Sequence, residues 1–581
     1  MTSLEQILTP HIVNAVKELF AADVEPQQIQ LQKTIKDFKG DITLVVFPLV
    51  KIIRKNPDEI ARLTGEYLKQ NVDEVKDFNA VKGFLNIEID DKYFVCCLKE
   101  MADCDIAELV HGVAETVNPT VIEYSSPNTN KPLHLGHIRN NLLGWSVSEI
   151  LKATGRNVKK VNLVNDRGIH ICKSMLAWQK WGNGETPETS GLKGDHLVGK
   201  YYVIFNQKLS EQAASLTTKD EEAPLMLEAQ DMLRKWEDGD KEIVDLWKTM
   251  NAWVYAGFDL TYKKLGVDFD KIYYESETYL LGKNIVQQGL EKGVLYKRED
   301  GSVWADLRDE GLDEKLLLRK DGTSVYMTQD LGTALLRHEE WNADKLIYVV
   351  GNEQNYHFDV LKRVLKKLGY EWAEKIMHLS YGMVELPSGK MKSREGTVVD
   401  ADDLIAEMTE TARKTTETLG KAASEELYHN IAMGALKYFI LKVDPIKNML
   451  FNPEESIDFN GNTGPFIQYT HARICSLLTK AGITPAVTDN VEISEKEKNL
   501  TALLLAYPQM VAQAAEQFSP ALIANTIYEI AKEFNGFYQE TPVIKEENHA
   551  LKHFRLQLCV KTKDVLKHGL NLLGIVAPIK M

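Results

Sequence analysis

The stretch from residue 121 to residue 164 constrains the fold more than any other part of the chain. Residues 121–124 form a short β-rich run, and a polar loop follows. Ile138, Leu142, Leu143, Val147, Ile150 and Leu151 then keep one face at helical spacing, and Gly155 is a natural helix stop. Residues 158–164 are β-rich again. A strand, a helix and a second strand in this order pair in parallel, and parallel sheets are covered by helices. The pattern returns further on, with a strand expected over 346–350, a helix over 355–368 and a strand over 376–385. The middle of the chain, about residues 113–400, therefore reads as a parallel-sheet α/β domain.

The flanks differ. A chain of 581 residues is too long for one core, at roughly 150 residues per domain. In residues 1–112, Leu4, Ile7, Leu8, Ile12, Ala15, Val16 and Leu19 recur at helical spacing, and residues 42–47 and 81–89 read as strands. Asn56 opens a helix with Pro57 at its first position. This unit is expected to be a separate N-terminal α/β domain. From 401 to 581 the signals are helical. Pro508 is expected to kink one helix, and Pro520 to start another after Ser519. Within the middle, about 175–300 reads as an insertion whose charged runs, 217–222 and 237–242, are solvated helical faces.

Composition excludes some classes of function. Asp plus Glu number 84 against 69 Lys plus Arg, a net charge of −15, which argues against unspecific coating of nucleic acid but leaves room for a local basic face. The six cysteines form no CxxC pair, so neither a zinc ribbon nor a thioredoxin-like site is signalled; they read as small buried side chains in a reducing cytosol. The longest apolar patch, residues 42–53, contains Pro48 and Lys51 and falls short of the ~18 residues that span a bilayer. No signal or transit peptide is expected, and the place of work is expected to be the cytoplasm.

The loop between the first strand and its helix carries the chemistry. It reads Ser125-Ser126-Pro127-Asn128-Thr129-Asn130-Lys131-Pro132-Leu133-His134-Leu135-Gly136-His137. Ligands of open α/β sheets bind at the carboxyl ends of the strands. There Gly136 lets a purine lie against the backbone, His134 and His137 reach the same phosphates, the helix N-terminus favours anions, and Lys131 supplies a point charge. The HxxH spacing also suits a metal, but no third ligand lies near in sequence, and no metal site is expected. A second loop, Pro387-Ser388-Gly389-Lys390-Met391-Lys392-Ser393-Arg394-Glu395-Gly396-Thr397, is bounded by glycine and carries three cations and hydroxyls suited to a triphosphate.

The first loop resembles the HIGH signature of class I aminoacyl-tRNA synthetases, and the second resembles their KMSKS loop. Glu123 to Asn128 followed by Lys131 to Arg139, the block from Gly322 to Asp330, and the block from Asn352 to His357 are similar to the arginyl-tRNA synthetase family. So are Phe534 to Tyr538, Thr541-Pro542-Val543 and the closing Leu573 to Pro578. The resemblance covers almost the whole chain and is weakest in the insertion. It implies a Rossmann-like class I catalytic domain, an N-terminal domain that touches the tRNA elbow, and a C-terminal all-α bundle ending in an anticodon-binding domain at about 463–581.

The activity it implies is ATP-dependent formation of arginyl-adenylate, then transfer to the 3′-terminal ribose of tRNA(Arg), with Mg²⁺ accompanying ATP. Tyr326 and Asp330 would line the guanidinium pocket. Asn128 and Gln354 would hold the amino-acid end beside Glu123, whose partner, guanidinium or α-ammonium, stays open. His134, His137, Lys131 and Lys390 would stabilise phosphate charge. ATP would also meet Gly136, His357, Lys392, Ser393 and Arg394. The second loop departs from the family pattern, because Ser393 stands where a second lysine is expected; Lys131 is expected to compensate. For tRNA, Lys437, Lys442, Lys447, His471 and Arg473 are candidate cations. Tyr438, Phe466, Tyr469, Phe534, Phe537 and Tyr538 are candidate stacking rings, with helix-bundle core as the competing reading for most of them. A monomer is expected. Competing functions are a class I synthetase for another amino acid, an inactive synthetase-like tRNA-binding protein, and a small-molecule adenylyltransferase.

Overall fold

Five parallel strands form the central sheet of the computed structural model, in the order Ile376–Tyr381, Lys345–Gly351, Thr120–Glu123, Val158–Val164, Lys271–Tyr274. The structure describes residues 3–35, 37–112, 117–215, 223–385, 399–418, 423–488 and 491–581. The chain leaves Thr120–Glu123 toward Val158–Val164 on one side and returns to Lys345–Gly351 on the other. That reversal opens a crevice at the carboxyl end of the Thr120–Glu123 strand.

The helix after this strand, Leu135–Ala153, begins three residues earlier than the apolar pattern suggests. It is also buried nearly all round: Arg139, Asn141, Ser146 and Ser148 are as inaccessible as Leu143 and Ile150. One face meets the sheet and the other meets the C-terminal helices, where the Ser146 hydroxyl donates to the Leu572 carbonyl at 2.8 Å.

Three expected elements are divided differently. Residues 376–385 are not one strand. After Tyr381 the chain leaves the sheet, and Val384–Glu385 pairs instead with Met449–Leu450. The Arg139 guanidinium holds this departure by donating to the carbonyls of Gly382 (2.7 Å), Met383 (3.2 Å), Pro445 (3.0 Å) and Lys447 (2.8 Å). Residues 81–89 contain a hairpin turn. Lys82 and Gly83, both at positive φ, link Val75–Val81 to Phe84–Ile89. The strand expected over 42–47 stops at Val45, and Phe47–Ile53 is helical with Pro48 in its first turn.

The N-terminal unit is a four-stranded antiparallel sheet under the helices Leu4–Phe20 and Pro57–Asn71, with Leu8, Ile12, Leu44, Ile60 and Leu85 in its core. Asn56 caps the second helix by accepting from the Asp58 N–H at 2.9 Å.

The stretch read as an insertion holds long helices, among them Gly194–Ser215 and Lys241–Leu265. It also holds Lys271–Tyr274, which is a strand of the main sheet. Its short polar-flanked sequence hid that role. Beyond residue 400 every described element but the short strand Met449–Leu450 is helical. Glu495–Gln517 runs through Pro508 without interruption, and Pro520 opens Pro520–Glu540. Cys97, Cys172 and Cys559 are buried as expected, whereas Cys96 is exposed. No described helix is long and apolar enough to cross a membrane.

Candidate active site

The crevice is a cavity of about 750 Å³, and its walls come from the strand ends and from the helices that follow them. Its first wall is a strained turn. Ser125 and Ser126 hold φ of 79° and 45°, a region that costs non-glycine residues energy unless the surroundings enforce it. Here they do. The Ser125 N–H donates to Asn140 Oδ1 at 2.5 Å, the Ser126 N–H to Asn162 Oδ1 at 3.0 Å, and the Ser125 hydroxyl lies 2.7 Å from that of Tyr262. The turn delivers Asn128 to the cavity.

His134 and His137 have a double role. His134 is the N-cap of Leu135–Ala153: its Nδ1 accepts the Gly136 N–H at 3.1 Å. The His137 Nδ1 accepts the His134 N–H at 3.2 Å. This reciprocal cap explains the early helix start. It also sets the chemistry, because an Nδ1 that accepts leaves the proton on Nε2. Burial pushes His134 down to about 4 and His137 well below its usual range, with Lys131 adding to both. Both rings are therefore neutral Nε2–H donors at pH 7 and not cations. A Cβ on Gly136 would come within 3.0 Å of the His134 ring, so this glycine protects the cap as well as the approach to the backbone.

Acids gather at the other end, and each is held differently. Glu123 ends its strand with both oxygens engaged: one accepts from Arg337 and the other from the Ser126 hydroxyl at 2.8 Å. Asp330 accepts from His357 Nε2 at 2.5 Å, and burial raises its pKa. His357, expected among the nucleotide contacts, lines the cavity, bonds Asp330 and lies 5.1 Å from the ring of Tyr326. Glu275 was missed by sequence reasoning because it follows the strand hidden in the insertion. Burial pushes its carboxyl up to about 7, Arg167 opposes, and Asp166 and Asp330 add. Asp166 fixes the next residue, accepting from the Ser276 N–H at 2.8 Å and its hydroxyl at 2.7 Å.

The cavity brings together Glu123, Asn128, Lys131, His134, Gly136 and His137 from the first loop. Tyr326 and Asp330 join them from one later helix, His357 from another, and Gln354 from the short 3-10 turn that precedes it. Lys131 pairs with no carboxylate among the described residues, and burial lowers its pKa. Lys390, Lys392, Ser393 and Arg394 lie outside the described residues. Both flanks of that loop reach the site: Val384 and Glu385 line the cavity, and the Leu135 N–H donates to the Val399 carbonyl at 3.1 Å. Nearby, Asp195, His196 and Asp402 bring metal-type ligand atoms together, but Lys193 Nζ lies 3.1 Å from Asp195 and also bonds Asp402, so this cluster already holds a cation.

A family assignment follows from comparison with known sequences. Residues 107–453 match the family described as tRNA synthetases class I (R), catalytic domain, and residues 6–89 match the arginyl tRNA synthetase N terminal domain. The chain belongs to the arginyl-tRNA synthetase family. Residues 467–581 match the DALR anticodon binding domain. Over the full length of both chains it is 56% identical to an arginine–tRNA ligase of Parabacteroides distasonis and 55% identical to one of Bacteroides thetaiotaomicron. Its fold is similar to that of Thermus thermophilus arginyl-tRNA synthetase, with a TM-score of 0.81, 26% identity and full coverage of both chains.

Among the residues expected to face tRNA, several prove structural. Lys437 is buried and donates to the Gly574 carbonyl at 2.5 Å, and His471 bonds the Pro578 carbonyl at 2.9 Å. Tyr438, Phe534 and Phe537 are core, packed by the helical spacing that made them look like a stripe. Tyr469, Arg473 and Tyr538 instead line a surface cavity of about 430 Å³ with Lys480 and Lys580. The Arg473 guanidinium sits 4.8 Å from the Tyr469 ring and 5.6 Å from that of Tyr538.

Proposed function

We propose that this chain ligates L-arginine to tRNA(Arg) in two steps. The arginine carboxylate attacks the α-phosphorus of ATP, releasing pyrophosphate, and a 3′-terminal ribose hydroxyl of the tRNA, the 2′-OH in family terms, then displaces AMP. The reading is carried by one observation: a single cavity is lined both by His134 and His137 at a helix N-terminus and by the acids Glu123, Glu275 and Asp330. A guanidinium offers a rigid fork of donors that carboxylates meet best.

Asp330 and Glu275 take the guanidinium with Tyr326, and Glu123, held by Arg337 and Ser126, stands alongside. Asn128 and Gln354 hold the amino-acid end. His134 and His137 donate Nε2–H to phosphate oxygens, and Lys131 and Lys390 carry the developing pyrophosphate charge, Lys131 standing in for the lysine replaced by Ser393. Gly136 lies under the purine, and Lys392 and Arg394 act with Ser393 on the triphosphate. No protein nucleophile is needed; positioning and charge stabilisation suffice. Mg²⁺ bound with ATP would supply neutralisation of phosphate charge, without a dedicated protein cage. Residues 1–112 touch the tRNA elbow. The Arg473 cavity stacks a base of the anticodon region, its ring pair and cations supporting that role. The protein works as a monomer in the cytoplasm.

The deciding experiment is aminoacylation of bulk tRNA with each amino acid in turn. Charging with arginine alone is expected; charging with a different amino acid, or none, overturns the proposal.

A further inference from the structure

We propose that Arg337 is a positioning residue for the arginine site: through Glu123 and Ser126 it couples the helix that reads the guanidinium to the turn that carries Asn128. The inference rests on the function proposed above.

The helix Tyr326–Trp341 presents Tyr326, Asp330 and Arg337 along one face, at spacings of four and seven residues. The first two line the cavity, whereas Arg337 lies beneath it, 1% exposed. Its Nη1 donates to Glu123 Oε2, the one ion pair joining this helix to the Thr120–Glu123 strand among the described residues. The other Glu123 oxygen accepts the Ser126 hydroxyl at 2.8 Å. Ser126 occupies the left-handed region at φ 45°, and two residues later Asn128 reaches the cavity. The chain of contacts therefore runs from beneath the guanidinium pocket along the cavity wall, through Glu123 and Ser126, to the turn that carries Asn128.

Stability alone does not account for Arg337. Its Nε and Nη2 are buried without a well-aligned acceptor, and the rings of Tyr273 and Tyr348 flank it at 5.1 and 5.6 Å. A buried ion pair whose remaining donors are only partly satisfied is commonly no more stable than an aliphatic pair of the same volume. The arrangement does set geometry. Arg337 and the Ser126 hydroxyl hold the Glu123 carboxylate in one orientation in the cavity wall that Asp330 and Asn128 also line.

The test is steady-state aminoacylation with arginine and ATP varied separately, for wild type, Arg337→Lys, Ser126→Ala and the double variant. Arg337→Lys keeps the charge and loses the fork. Each single substitution is expected to raise the arginine KM about tenfold, with kcat within about threefold and the ATP KM within about twofold. Because both act on one chain of contacts, the double variant is expected within about twofold of the larger single effect. An additive rise of about a hundredfold overturns the inference, as does an unmoved arginine KM, or a parallel loss in kcat and both KM values with a lowered melting temperature. If Arg337→Lys does not fold, Ser126→Ala decides alone by the same split. Wild-type protein that fails to charge tRNA with arginine overturns the function and this inference together. Wild-type charging with an unmoved KM in the variants overturns this inference only.

Discussion

The helical bundle and the catalytic cavity treat buried charge in opposite ways. In the bundle, Arg555 Nε donates to Glu497 at 2.6 Å, while its Nη1 bonds Glu546 and the Pro542 carbonyl. Lys498, 4% exposed, donates to the Ile89 carbonyl at 3.1 Å with Asp91 at 3.2 Å, tying the N-terminal unit to the helix Glu495–Gln517. Around the cavity, Lys131 at one end and the Glu275 carboxylate at the other have no hydrogen bond or ion pair among the described residues. Their pKa values move toward the neutral form accordingly. A fold that pairs its interior charges leaves two of them unpaired where a charged ligand completes the pairing.

That contrast can be broken at several points. Arg555→Met is expected to act on stability, since it leaves Glu497 buried and unpaired at a cost of about 3–5 kcal/mol. A denaturant titration checks this, and Arg555→Met/Glu497→Gln should recover most of the loss. Asp330→Asn is expected to do the reverse. Folding should be intact while kcat/KM for arginine falls about a hundredfold or more, because a charge-assisted contact to the substrate is worth roughly 2–5 kcal/mol. An Asp330→Asn protein with near-normal kinetics would remove the acid pocket.

The third effect is on pH. With its pKa near 7, Glu275 is largely protonated in the free site below that pH, and a bound guanidinium favours the ionised form. The arginine KM is therefore expected to rise as pH falls below 7, by at most about tenfold per unit, and to be flat above it. Glu275→Gln should abolish this dependence, and titration calorimetry in two buffers should detect the proton released on binding. The smallest change is expected from Tyr538→Ala. Its loss of stacking, about 1–3 kcal/mol at most, should raise the tRNA KM and leave the arginine KM untouched.

Much of the fold was legible in the sequence, because periodicity and helix caps are local. The alternation at 121–164 marked the parallel sheet, Asn56 and Pro57 marked a helix start, and Ser519 and Pro520 marked another. The site was legible only in part. His134 and Gly136 stood out by type and spacing, but their role as a helix cap, and the neutral charge that follows, emerged from the hydrogen bonds. Glu275 lay inside the stretch read as an insertion, and the strand before it, only four residues long, carried little signal.

The sequence by itself determined the parallel α/β domain between two flanking units, the strand–loop–helix that carries His134 and His137, and the acids Glu123 and Asp330 as candidates for a cationic substrate. Short-range spacing encodes each of these. Only the tertiary structure decided which acid is already paired: Arg337 meets Glu123 across 214 positions, and His357 meets Asp330 across 27. It also decided which rings of a helical stripe face water, burying Phe534 and leaving Tyr538 39% exposed. Charge and burial depend on what packs alongside, and neighbours in space are set by the whole fold rather than by neighbours in the chain.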